Sequence, residues 1–224
     1  MLKIDKLKKQ YKNFTLNCSM EVKEGMITGF VGPNGSGKST TLKAVLGLIY
    51  IDGGDIQIFG KDNIQNELEV KEKIGVVFDT MNLPEMLWAQ DVGKMMRSLY
   101  RQWDPAKYAQ YLEQFELPAK KTIKDFSRGM KMKLGIAIAL SHHPKLLLLD
   151  EATAGLDPVV RDEILNIFSE FTRDESHAIL ISSHIVSDLE KICDYIAFLH
   201  KGKLLLCEEK DFLKEQYVIV HCTA

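Results

Sequence analysis

The segment Gly32-Pro33-Asn34-Gly35-Ser36-Gly37-Lys38-Ser39-Thr40 restricts what this chain can become more than any other stretch of it. It fits GxxxxGK[ST] at every position, and every residue from Gly32 to Thr40 is a candidate phosphate contact. Before it runs the short apolar stretch Ile27 to Val31, and after it Thr40 to Leu48 has helical character. Strand, glycine turn and helix in that order make a phosphate-binding unit. Glycines let the backbone curl closely round a polyphosphate, while successive N–H groups and the helix N-terminus form an anion nest. Lys38 is placed to reach the β- and γ-phosphates, and the Ser39 hydroxyl to ligate Mg²⁺. A plain helix-entry loop has no use for the Lys-Ser pair.

A second constellation narrows the chemistry to hydrolysis. Leu146-Leu147-Leu148-Leu149 is followed directly by Asp150-Glu151. A buried strand ending in two acids delivers them to the crevice where ligands bind in parallel sheets. Asp150 is a candidate Mg²⁺ ligand. Glu151, one residue on, is a candidate general base for the attacking water.

The rest of the chain reads as alternating elements. Leu2, Ile4 and Leu7, then Phe14, Leu16, Cys18, Met20 and Val22, show the near-alternation of half-buried strands. Asp52 to Asp55 marks a turn, and Ile74 to Phe78 a further strand. From Asn82 to Phe115 apolar residues recur at helical spacing, with Pro84 and Pro105 near helix starts. Beyond Ser127 come helix (to Leu140), strand (Leu146 to Asp150), helix (Pro158 to Phe171), strand (Ala178 to Ser182), helix (Ser187 to Ile192) and strand (Ile196 to Leu199). That alternation predicts an α/β fold with a largely parallel sheet covered on both faces. The tail, Tyr217 to Val220, is strand-like.

Composition sets the outer limits. With 224 residues, 46% hydrophobic, the chain has material for one domain and a sizeable core. A net charge of −2 gives no electrostatic reason to expect nucleic acid as a partner. Four scattered cysteines, Cys18, Cys193, Cys207 and Cys222, contain no CxxC pair and suggest neither zinc nor disulfides. The start has no apolar leader, and no window approaches the roughly 18 apolar residues of a membrane span. A cytoplasmic protein is expected; any membrane role needs another chain to supply the pore.

Taken with the two constellations above, further motifs resemble those of the ATPase subunits of ABC (ATP-binding cassette) transporters. Asp125-Phe126-Ser127-Arg128-Gly129-Met130-Lys131 lies where that family carries its LSGGQ signature. Ala154-Gly155-Leu156-Asp157 resembles the D-loop, and Ile181-Ser182-Ser183-His184 the segment of the switch histidine. Tyr11 matches the aromatic that stacks on adenine. The motifs cover Tyr11 to His184, and the surrounding strands extend the match over nearly the whole chain.

The resemblance implies a P-loop NTPase fold over residues 1–224. It comprises a mostly parallel core sheet, an N-terminal antiparallel β portion and a helical subdomain inserted at about 80–126. It implies ATP and Mg²⁺ as cofactors, and a composite active site between two nucleotide-binding subunits paired head to tail, as homodimer or heterodimer. Ser127 and Gly129 would contact the γ-phosphate in trans, at a helix start where the dipole favours an anion. His184 would contact the same phosphate and position water, with Glu151 and Lys38 as the other catalytic groups. Asp157 would act across the interface. The chain would sit on the cytoplasmic face of a membrane, held there by an integral permease subunit that it powers.

Two segments depart from the family pattern. The signature carries Arg128 for glycine and Met130 for glutamine. Asp79, after Gly75 to Phe78, takes the place of the Q-loop glutamine; aspartate is still a Mg²⁺ ligand, though shorter and charged. Met81, Leu83, Met86, Leu87 and Trp88 are candidates for an apolar docking groove toward the permease. The compact cassette with an arginine in its signature most resembles ATPase subunits of ABC-2-type exporters. Two other functions stay open: a soluble ABC ATPase serving assembly or the ribosome, and a nucleotide sensor that hydrolyses poorly because of Asp79 and Arg128. Glu151 and His184 argue against the sensor.

Overall fold

The computed structural model describes residues 1–80 and 83–216. Ten strands form one sheet: β1 (Leu2–Tyr11), β2 (Phe14–Val22), β3 (Ile27–Val31), β4 (Gly53–Ile58), β5 (Lys61–Asp62), β6 (Ile74–Val77), β7 (Leu146–Asp150), β8 (Ala178–Ser182), β9 (Tyr195–His200) and β10 (Lys203–Glu209). Their order is β5-β4-β1-β2-β10-β9-β3-β8-β7-β6. The run β9-β3-β8-β7-β6 is parallel throughout. The first strands form the antiparallel portion β5-β4-β1-β2. The hairpin of β9 and β10 joins the two, because β10 pairs antiparallel with β9 and parallel with β2. The mixed sheet expected from the sequence is therefore continuous, and β10 closes it.

Alternation explains why the parallel strands read as unbroken apolar runs. Leu146 and Leu148 of β7 belong to one hydrophobic cluster, Leu147 and Leu149 to the other. In β8, Ala178 and Leu180 divide from Ile179 and Ile181 in the same way. Both faces are covered, so apolar residues fill both in β7 and β8 up to Asp150 and Ser182 at the strand ends. Each such leucine is worth about 1.5–3 kcal/mol on burial, and Leu148→Ala would cost about 2–5 kcal/mol.

The helices are α1 (Lys38–Val45), α2 (Glu67–Lys71), α3 (Ala89–Leu99), α4 (Pro105–Gln114), α5 (Arg128–Leu140), α6 (Pro158–Phe171), α7 (Val186–Ile192) and α8 (Lys210–Gln216). A 3-10 turn spans Ile123–Asp125. α3, α4 and that turn fill the predicted helical segment. They share a core with α5, α6 and one sheet face: Val92, Met96, Tyr108 and Leu112 belong with Leu134, Leu147 and Phe168.

Two local expectations need correction. Pro84 does not start a helix; its carbonyl accepts from Leu87 N in a turn, and α3 opens at Ala89. Pro105 does begin α4, where Asp104 caps the Ala106 and Lys107 N–H groups. The turn at Asp52 to Asp55 shrinks to Asp52, because Gly53 onward pairs with β1 as β4. The strand-like tail Tyr217 to Val220 lies outside the described residues, as does Cys222. Burial pushes the Cys18 and Cys193 thiols up to about 12, which makes both inert.

Candidate functional site

The glycine loop sits between β3 and α1, as the motif requires. Gly32 approaches another strand so closely that an added Cβ would stand 2.2 Å from the Leu199 carbonyl oxygen. No other residue fits there without moving backbone. The loop is pinned by Ser36 N to Pro33 O (3.1 Å) and Gly202 N to Ser36 O (2.9 Å). α1 opens at Gly37 with no side-chain cap, so its first N–H groups remain free for an anion. Lys38 is buried, its Nζ donating to the Gly32 carbonyl at 2.7 Å. The Ser36 hydroxyl is buried without a partner.

The carboxylates arrive from β7. Asp150 is 7% exposed, and its Oδ1 accepts from Ser182 Oγ at 2.6 Å. Parallel pairing sets this contact, since Asp150 lies opposite Ser182 in the register. The same serine reaches Glu151, whose N–H donates to Ser182 O at 3.0 Å and to Ser182 Oγ at 3.2 Å. Glu151 stands at φ 54, left-handed backbone that a non-glycine residue rarely adopts and that concentrates at functional positions. Its Oε2 accepts from His184 Nδ1 at 2.6 Å, and its Oε1 lies 3.9 Å from Lys38 Nζ. This contact holds the exposed His184 ring against the Glu151 carboxylate. Lys38, Glu151 and His184, distant in sequence, thus form one chain of contacts.

A cleft of about 330 Å³ joins Tyr11, Phe14, Asn34, Gly35, Gly37, Lys38, Ser39, Thr40 and Glu151. Tyr11 is 45% exposed, and its ring centroid lies 6.4 Å from that of Phe14. An aromatic wall at one end and a cation with an uncapped helix at the other fit a base and a polyphosphate. The orphaned Ser36 hydroxyl sits in the same loop. Phe14 is a site residue that the motifs do not indicate, since it reads as an ordinary strand residue. Ser182 falls in the switch-histidine segment, but its contact with Asp150 follows only from strand register.

The signature segment stands apart from this cleft. Ser127 is the N-cap of α5, its Oγ accepting from Met130 N at 3.2 Å, and both Ser127 and Arg128 are exposed. Asp157 caps α6 in the same way, accepting from Val160 N at 3.1 Å. Asp79, read from sequence as a metal ligand, forms a salt bridge with Arg128. Among the described residues no three His, Cys, Asp or Glu side chains are grouped to hold a metal by themselves. The docking-groove candidates divide: Met86 and Trp88 are exposed, whereas Leu83 and Leu87 pack against the core. Met81 lies outside the described residues. No helix among them is long and apolar enough to cross a membrane.

Comparison with known proteins agrees with this geometry. The chain is 38% identical over 215 residues to the lantibiotic transport ATP-binding protein SrtF of Streptococcus pyogenes, covering 94% of this chain and 92% of that one. It is 37% identical over 202 residues to the bacitracin transport ATP-binding protein BcrA of Bacillus licheniformis, covering 89% of this chain and 66% of that longer one. The solved structure of an ATP-binding subunit of an ABC transporter superposes with a TM-score of 0.87 at 27% identity, over 96% of this chain and 92% of its own. The family model described as ABC transporter matches residues 15–154. The chain belongs to the ABC transporter family and is an ATP-hydrolysing cassette of it.

Proposed function

We propose that this chain is the energy-supplying subunit of an exporter, held to the cytoplasmic face of a membrane by a separate permease and paired with a second nucleotide-binding subunit. The observation that carries the chemistry is the contact chain Lys38–Glu151–His184 beside the uncapped start of α1. The transport role rests on similarity to lantibiotic and bacitracin transport proteins. Cargo of that antibiotic class, moved by an ABC-2-type permease, is the reading we adopt. Residues 1–224 act as one nucleotide-binding unit, with about 80–126 as its helical subdomain.

In this reading the adenine ring lies against Tyr11, and the loop from Gly32 to Thr40 holds the phosphates. Lys38 leaves the Gly32 carbonyl for the β- and γ-phosphates, so its burial cost is offset by charge-assisted bonds. Ser39 and Asp150 would hold Mg²⁺, which would neutralise charge developing on the phosphates. Ser182 keeps Asp150 turned by occupying Oδ1. Glu151 takes the proton of the attacking water, and His184 fixes the Glu151 carboxylate while offering Nε2 toward the γ-phosphate. A Mg²⁺ role for Asp79 requires Arg128 to release it first.

Ser127 and Gly129 are not among the residues that line this cleft, which supports their use by a second subunit. A head-to-tail pair would bring one chain's α5 start to the other's α1 start, so that ATP is enclosed only when both are present.

The experiment is to tag the full-length chain in its native cell and identify what co-purifies from solubilised membranes. A multi-span membrane protein in near-equal amount is the expected result. Recovery only from the cytosol, on ribosomes or an assembly scaffold, overturns the transport role and leaves the ATPase chemistry.

A further inference from the structure

Two of the positions at which the chain departs from its family's pattern, Asp79 and Arg128, meet each other. Arg128 Nη2 donates to Asp79 Oδ1 across 49 residues of sequence. The same guanidinium lies on the loop after Glu151: a Cβ added to Gly155 would stand 2.6 Å from Arg128 Nη1 and 3.0 Å from its Cζ. Gly155 itself has φ +71. One residue along, a Cβ on Gly129 would lie 3.6 Å from Leu156 Cδ2, and Leu156 is buried. The loop is tied back at both ends, with Ala154 N donating to Glu151 O at 3.0 Å and Arg161 Nη2 to Leu156 O at 3.0 Å. Arg128 therefore joins three segments of one chain: the end of β6, the start of α5 and the 154–157 loop that leads from Glu151.

Stability is a poor explanation for the pair. The side chains are 54% and 48% exposed, and solvent-screened ion pairs contribute little. A planar guanidinium that donates to a carboxylate while lying close to the Gly155 backbone supplies direction instead. A lysine in its place would keep the charge and lose the fork. A charge at position 128 aimed at the partner's phosphate would have no need of Asp79, yet here Asp79 holds it.

We propose that Arg128 is a positioning residue acting within its own subunit: paired with Asp79, it holds the 154–157 loop and, through it, Glu151 in the geometry for hydrolysis. Asp79 stands at the root of the helical segment, so a displacement there reaches the catalytic carboxylate through Arg128 and Gly155. The inference rests on ATP hydrolysis at the Lys38–Glu151 site and adds what sets its geometry.

The test compares Asp79→Asn, Arg128→Ala and the double variant in the full-length chain, with Arg128→Lys and Asp79→Glu as conservative partners. Each disabling variant is expected to lower kcat about tenfold with KM for ATP within about twofold, and the double variant to lose no more than either single. Asp79→Glu retains kcat within about threefold, while Arg128→Lys recovers only part. Independently of turnover, hydrogen exchange at the 154–157 amides should rise in both singles and rise no further in the double. Additive losses of kcat, or a rise in KM confined to Arg128→Ala, would place the guanidinium on the nucleotide and overturn the proposal. So would unchanged exchange at 154–157 in Asp79→Asn. Glu151→Gln in the same assay reports separately on the site itself: if it hydrolyses as the parent does, the hydrolytic reading fails rather than the pair.

Discussion

Two helices begin where phosphate is expected, and they are built on opposite plans. α1 starts at Gly37 without a side-chain cap, its lysine buried and its neighbours Tyr11, Phe14 and Glu151 already gathered round. α5 starts at Ser127 with its own hydroxyl as cap, exposed to solvent beside a charge pair. An uncapped N-terminus leaves N–H groups to water or a ligand, and beside the buried Lys38 those of α1 suit an anion. A capped, exposed one is already satisfied and still carries its dipole outward. The first gathers its groups within one chain; the second, in the function proposed above, serves a second chain.

The comparison breaks most visibly at its first member. Glu151→Gln removes the base while keeping the shape, and kcat should fall about 10²- to 10⁴-fold with nucleotide binding retained, read by phosphate release and by a fluorescent nucleotide. Lys38→Ala should lose both. Mixing then sharpens the contrast. If α5 serves the other subunit, a mixture of Lys38→Ala and Ser127→Ala chains should regain about a quarter of the parental activity, because mixed dimers contain one intact site. No regain on mixing means that Ser127 works in cis, and the two starts are not complementary halves.

Next in size is the serine that both carboxylates share. Ser182→Ala should lower kcat about tenfold and cost about 1–3 kcal/mol, since Asp150 loses a buried donor. A denaturant midpoint that stays put would show that water replaces the hydroxyl. Ser127→Ala should cost about 1 kcal/mol through the lost cap alone, measurable in thermal melts of the isolated chain without nucleotide.

The smallest effect concerns a third helix start, at Asp104. The Lys107 and Ala106 N–H groups, with His143, hold its carboxyl below the ordinary range. A folded-state pKa depressed in this way gives stability that is present above the unfolded value and lost as pH falls through the folded one. Melts between about pH 5 and pH 3 should therefore steepen downward in the parent and flatten in Asp104→Asn. Equal slopes would remove the cap from the account.

Legibility from sequence followed the same division. The loop from Gly32 to Thr40 could be read directly, because its function depends on consecutive backbone N–H groups and a single adjacent helix. The strands β7 and β8 could be read because burial on both faces demands unbroken apolar runs. Pro84 misled because proline marks turns as readily as helix starts, and β10 was missed because its partners are set by a hairpin and a distant strand. The pairing of Asp79 with Arg128 is not legible in sequence for a further reason: 49 residues separate the two, and no periodicity links the segment after β6 to the start of α5.

What the sequence alone determined, then, is the chemistry carried by contiguous residues: the phosphate loop, the acids at the end of a buried strand, and the α/β alternation that presents them. What only the tertiary structure decided is which separate segments stand side by side. Strand register put Ser182 between Asp150 and Glu151, the antiparallel edge brought Phe14 to the cleft, and the meeting of β6, α5 and the 154–157 loop gave Arg128 its partners. Local motifs are set by short-range geometry, which a few residues specify. Contacts across the fold depend on the packing of the whole chain, which no short stretch encodes.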